Sequence, residues 1–156
     1  MNISRNDNRA YRALTLDNGL KVLLVQDKDS TKAAASMAVN AGHFDDPADR
    51  QGLAHFLEHM LFLGTDQFPD SGSFNNFFSQ AGGNTNAWTG TEHSCYFFDI
   101  NNQEFEHALL QFSRFFIAPL LSANETEKER NAIDAEFKLK IKDDARRIYQ
   151  AHKETV

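Results

Sequence analysis

The chain has 156 residues, of which 41% are hydrophobic and 24% charged, with a net charge of -6; that is one domain's worth of ordinary globular composition, long enough for a real core. The acidic balance argues against sequence-independent binding to nucleic acid, which needs Lys and Arg to neutralise phosphates, and no run approaches the ~18 apolar residues of a membrane span. A single cysteine, Cys95, excludes an intrachain disulfide.

In chain order, Tyr11 to Val25 reads as a β-hairpin turning at Asp17-Asn18-Gly19. Ala33 to Ala41 alternates and is read as a strand ended by Gly42. Phe44-Asp45-Asp46-Pro47 is a loop. A helix follows from about Arg50 to Leu63, closed by Gly64. Asp70-Ser71-Gly72-Ser73 caps a second helix carrying Phe74, Phe77 and Phe78, which Gly82-Gly83 ends. Asn84–Thr89 and Ser94–Ile100 are a strand pair, and Cys95 within the second reads as a small buried hydrophobe. Gln103 to Ile117 is amphipathic, with Phe105, Leu109, Phe112 and Phe116 on one stripe, and Pro119 marks its limit. Ser122-Ala123-Asn124-Glu125 is a capping-box pattern. It opens one long charged helix to about Gln150, with Ile133, Phe137 and Ile141 on its apolar stripe. Strands and helices mix without regular βαβ alternation, so the class is α+β: an antiparallel or mixed sheet packed by helices.

The chemistry lies in His55-Phe56-Leu57-Glu58-His59. Residues four apart share a helix face, so His55 and His59 can present ring nitrogens to one point, with Glu58 beside them. A catalytic zinc needs about three protein ligands and an open position, and a nearby carboxylate can serve as general base. The same pattern also fits a solvated helix face with no metal, and it lacks a third ligand. Glu129 and Glu136 are two turns apart and face the same way. Periodicity alone places both on an ordinary charged helix, and composition selects neither. Of the other histidines, His43 and His107 read as surface residues, His93 as a supporting residue at most, and His152 is uninformative.

Gly52-Leu53-Ala54-His55-Phe56-Leu57-Glu58-His59-Met60-Leu61-Phe62-Leu63-Gly64-Thr65 resembles the active-site helix of the insulinase (pitrilysin) family, the inverted zinc peptidases with an H-x-x-E-H motif. Glu129-Arg130-Asn131-Ala132-Ile133-Asp134-Ala135-Glu136-Phe137, the turn at Leu16–Leu20, and Asn86-Ala87-Trp88-Thr89 with Glu92-His93 resemble the same family. The resemblance implies one zinc ion per chain held by His55, His59 and Glu136, with Glu58 as general base and Glu129 supporting the ligands from behind. It implies a zinc endopeptidase acting on oligopeptides or small proteins, which add as a strand along Asn84–Trp88. Asn86 and Ala87 would touch the substrate backbone, and Phe62 and Trp88 an apolar side chain next to the scissile bond.

Members of that family are several times longer, and their first domain continues with further helix and strand. The resemblance therefore implies that residues 1–156 are a C-terminally incomplete N-terminal zinc-binding domain. Its partners would be a peptide substrate and the remaining domains, with no nucleic acid and no membrane. Such a piece is expected to bind zinc and to cleave peptides poorly or not at all. A non-proteolytic subunit of the same fold, or a peptide-binding module, is the alternative. Residues 1–12 show no signal peptide. The compartment is left open with a slight lean to the cytosol, because a periplasmic chain after leader removal would look the same.

Overall fold

A computed structural model of the chain describes residues 3–155. Strands β1 (Ala10–Thr15) and β2 (Lys21–Gln26) form an antiparallel hairpin, with Ala10 opposite Gln26 and Thr15 opposite Lys21. Its turn is closed by Leu16 N–H donating to Leu20 O at 2.9 Å and by Leu20 N–H donating to Asn18 Oδ1 at 3.1 Å. A second sheet holds β3 (Lys32–Val39), β4 (Asn84–Thr89) and β5 (Ser94–Asn101), in the order β3-β5-β4 and antiparallel throughout. β5 is therefore central, with β3 and β4 at the two edges, within the expected α+β architecture.

Alternation decides which face of this sheet is covered. Ala35 and Met37 of β3, Tyr96, Phe98 and Ile100 of β5, and Ala87 of β4 point into the core. They meet Phe74 and Phe78 of α2 (Ser73–Gln80) and Ala108, Phe112 and Phe115 of α3 (Phe105–Ile117). The rings interlock, tilted for Phe74 and Phe115 with centroids 4.6 Å apart, and edge to face for Phe78 and Phe98 at 5.1 Å and for Phe98 and Phe112 at 5.2 Å. Each such phenyl group contributes roughly 1.5–3 kcal/mol by burial, which explains the Phe-rich composition.

Four sequence expectations need correction. Cys95 belongs to the opposite phase of β5 from Tyr96 and Phe98, so it sits half-buried on the outer face rather than in the core. On α3 the covered stripe is Ala108, Gln111, Phe112 and Phe115, and Leu109 stays 42% exposed. The long C-terminal helix is two helices, α4 (Ala123–Lys140) and α5 (Asp144–Thr155). The break at 141–143 is where Asp143 turns to cap the new helix, its Oδ1 accepting from Arg146 N–H at 2.9 Å. The expected apolar stripe of α4 faces inward only at Ile133: Phe137 is 63% exposed and Ile141 52%, and the half-buried line runs through Glu129, Ile133, Glu136 and Lys140. That line steps by four, three and four residues, the spacing of one helix face, and it carries charge because of what it faces.

Candidate metal centre

Helix α1 (Leu53–Leu61) lies between β4 and α4. It is shorter than the expected Arg50–Leu63. Gly52 takes φ +93 just before it, a left-handed conformation that glycine adopts without strain. At the other end Phe62 and Leu63 donate to His59 O and Met60 O, three residues back, which tightens and stops the last turn.

No side chain at the helix start itself supplies a cap. The cap comes from Asp46 in the preceding loop. Its carboxylate accepts from Gly52 N–H at 2.7 Å and Ala54 N–H at 2.8 Å, and its side chain is almost fully buried. The loop is anchored in turn on the β4–β5 connection, where His43 N–H donates to Gly90 O and Phe44 N–H to Thr91 O, both at 2.9 Å. Gly42 must be glycine there, because a Cβ would stand 2.6 Å from Gly90 O.

On this helix His55 and His59 bring their Nε2 atoms to 3.1 Å of each other. Glu136 of α4 reaches in from across the gap, its Oε2 3.9 Å from His55 Nε2 and 3.7 Å from His59 Nε2. Three donors around a tetrahedral zinc at ordinary bond lengths lie roughly 3.4 Å apart, so the triangle fits that ion with sub-ångström adjustment. The donor chemistry, two imidazoles and a carboxylate, also suits it. The other oxygen of Glu136 is held by Lys140, one turn further along α4, which leaves Oε2 to face the histidines.

The tautomer of His59 is set from behind. Its Nδ1 lies 2.7 Å from Glu129 Oε1; a carboxylate only accepts, so Nδ1 carries the proton and Nε2 keeps its lone pair. The His55 pKa is lowered, first by burial and then by the nearby His59, which favours the neutral imidazole that a metal requires. Glu58, 9% exposed, projects beside the histidine pair, three residues after His55, and there Thr89 Oγ1 donates to its Oε2.

The remaining predicted residues are spread around this centre. Asn86 and Trp88 lie on the outer phase of β4 and Ala87 on the inner. Asn86 Oδ1 accepts from Ala87 N–H at 2.9 Å, and Trp88 packs edge-on against His93 with ring centres 4.9 Å apart. Phe62 is half-buried among Phe74, Tyr96 and Phe115. His107 stacks on Phe77 at 4.8 Å, remote from the histidine pair in sequence and role. Sequence reasoning missed Asp46 and the partnership of Thr89 with Glu58. For Asp46 one signal existed: no Ser, Thr, Asp or Asn stands at the start of α1, so its cap had to come from elsewhere.

The α+β fold brings two helix-borne histidines and a glutamate from a distant helix together as a two-histidine, one-carboxylate donor set that could hold a metal ion. A profile of the insulinase family (Peptidase family M16) matches residues 21–155, and the chain belongs to that family. It is 46% identical over 147 residues to the A-factor-processing enzyme of Saccharomyces cerevisiae, covering 94% of this chain and 14% of that protein. With the insulin-degrading enzyme of Mus musculus it shares 43% over 152 residues, 97% of this chain and 15% of that one. Among solved structures it is similar to pitrilysin, with a TM-score of 0.83 and 36% identity over 87% of this chain and 14% of the other. The chain thus spans about a seventh of the length of these relatives.

Proposed function

We propose that this chain carries the metal-and-base part of a zinc endopeptidase that hydrolyses oligopeptides or small proteins. The observation that carries the reading is the convergence of His55 Nε2, His59 Nε2 and Glu136 Oε2 on one point, with the buried carboxylate of Glu58 on the same helix. In this reading His55, His59 and Glu136 hold one zinc ion, and Glu129 orients His59. Bound zinc supplies a Lewis acid that acidifies water and polarises a carbonyl. Glu58 takes the proton of the attacking water and passes it to the leaving amine.

The substrate is an extended peptide that adds to β4. Its open edge offers main-chain partners over Asn84–Trp88, with Asn86 and Ala87 at the substrate backbone and Phe62 and Trp88 towards an apolar side chain. Residues 1–156 are then an N-terminal catalytic portion whose other partner is further chain of the kind its longer relatives possess. The chain spans only about a seventh of its relatives' length, which supports this reading.

The test is zinc content per chain, together with chelator-sensitive cleavage of a fluorogenic peptide by the full-length form. One zinc per chain and chelator-sensitive turnover are expected. A stoichiometry near zero in the presence of excess zinc, or turnover indifferent to chelator, would refute the reading. Activity of the 156-residue chain by itself is expected to be weak or absent.

A further inference from the structure

The end of strand β4 makes one contact that the donor set for zinc does not use. Thr89 is the last residue of β4 and lies on its inner phase, with Thr85 and Ala87. Its hydroxyl donates to Glu58 Oε2. A threonine hydroxyl has one proton and a carboxylate has none, so the direction of this bond is fixed whenever Glu58 is ionised. The neighbouring hydroxyl does not compete. Ser94, paired with Thr89 across the β4–β5 ladder, commits its proton to Ala41 O at 2.9 Å and lies 3.5 Å from Thr89 Oγ1. Among the described residues Thr89 is the one recorded hydrogen-bond donor to the Glu58 side chain, and Oε1 is left without a protein partner.

We infer that Thr89 is a positioning residue for Glu58: it pins one carboxylate oxygen to the end of the edge strand so that the other is held ready for a proton. The inference rests on the reading of Glu58 as the base. It adds a mechanical link. Thr89 is three residues beyond Asn86 on one strand, so the register in which a peptide joins β4 and the position of the base are set by the same rigid element. A long flexible glutamate loses rotamer freedom when buried; a fixed donor removes the unproductive rotamers before substrate arrives, and small misplacements of a catalytic group can cost up to about a hundredfold in rate.

The experiment is a double-mutant cycle on the full-length form. Thr89→Val keeps the shape and the strand propensity and deletes the hydroxyl; Thr89→Ser restores it. Thr89→Val is expected to lower kcat about tenfold to a hundredfold, with KM within about twofold and zinc content unchanged, and Thr89→Ser is expected to recover most of the loss. In a Glu58→Gln background Thr89→Val should cost little more, because the group it positions is already gone. Equal losses in both backgrounds would show a structural role and overturn the inference, as would a Thr89→Val enzyme with wild-type kcat. If Thr89→Val lowers the melting temperature, Thr89→Ala is measured below the transition under the same criteria. Full turnover by Glu58→Gln alone would be the separate failure of the base reading, and would take the inference with it.

Discussion

His59 Nδ1 and Glu129 Oε1 are 2.7 Å apart, across a sequence separation of 70 residues, and this bond joins α1 to α4 directly behind Nε2, the nitrogen that faces Glu136. It fixes both the ring orientation and the proton of His59. Removing the acceptor by Glu129→Ala frees the ring to rotate and to take the wrong tautomer. The expected result is a zinc affinity lower by about tenfold to a hundredfold, read by competition with a chromogenic chelator. Glu129→Gln keeps an acceptor oxygen and should lose less. Equal affinity in all three forms would show that the contact does not tune the site.

His55, His59 and Glu136 offer the donor atoms and Glu58 a carboxylate beside them, so the proposed function predicts different losses for the two groups. Replacing any of the three donors leaves two, too few for a catalytic zinc site. His55→Ala, His59→Ala and Glu136→Ala are each expected to lose zinc on dialysis, measured by atomic spectrometry. Glu58→Gln touches no donor atom and keeps a hydrogen-bond acceptor for Thr89. It should retain one zinc per chain while the full-length form loses about a hundredfold to ten-thousandfold in turnover. Loss of zinc on Glu58→Gln would contradict its assignment as a base that does not bind the metal.

These contrasts trace what was legible in the residues. The His55 and His59 pairing follows from helix geometry, since four residues are close to one turn, and the pairing of β4 with β5 follows from two short strands around the turn at 90–93, whereas the place of β4 at a sheet edge was implied only by the family resemblance. Glu136 was different. Apolar residues usually mark the inner face of a helix, yet of Ile133, Phe137 and Ile141 only Ile133 lies on the inner line of α4; Phe137 and Ile141 lie open. The inner face is charged because it meets an imidazole pair rather than a core, and only family resemblance or coordinates reveal that. Asp46 and Thr89 escaped for a related reason. Each acts on an element distant in sequence, Asp46 on the start of α1 and Thr89 on its buried glutamate, and local pattern carries no signal of a long-range hydrogen bond.

Tyr96 gives the site a boundary at alkaline pH. Its pKa is pushed up to about 12, first by burial and second by the negative charge of Glu58. A tyrosine whose folded pKa is raised contributes stability that is complete below the unfolded value near 10 and is lost as pH rises through the folded one. Denaturation midpoints should therefore fall between about pH 10 and 12, by up to roughly 2–3 kcal/mol for this group. Tyr96→Phe should flatten that part of the profile. An ultraviolet titration in which all three tyrosines ionise together near pH 10 would contradict the assignment.

The cap on α1 makes a prediction that couples folding to metal. Asp46 accepts two of the backbone N–H groups at the start of the helix that carries His55, Glu58 and His59. Asp46→Ala leaves both donors in a nearly buried pocket without an acceptor, where each charged-group hydrogen bond contributes about 1.5–3 kcal/mol. Asp46→Asn retains one acceptor oxygen but turns an amide N–H towards a backbone N–H. Both should lower the denaturation midpoint, Ala more than Asn if lost bonds dominate and Asn more than Ala if the opposed donors do. Because His55 sits one residue beyond the capped Ala54, fraying of this first turn should also weaken zinc binding, while added zinc should raise the midpoint of each variant by selecting the ordered helix. An Asp46→Ala chain as stable as the parent would show that the loop, not its carboxylate, holds the helix in place.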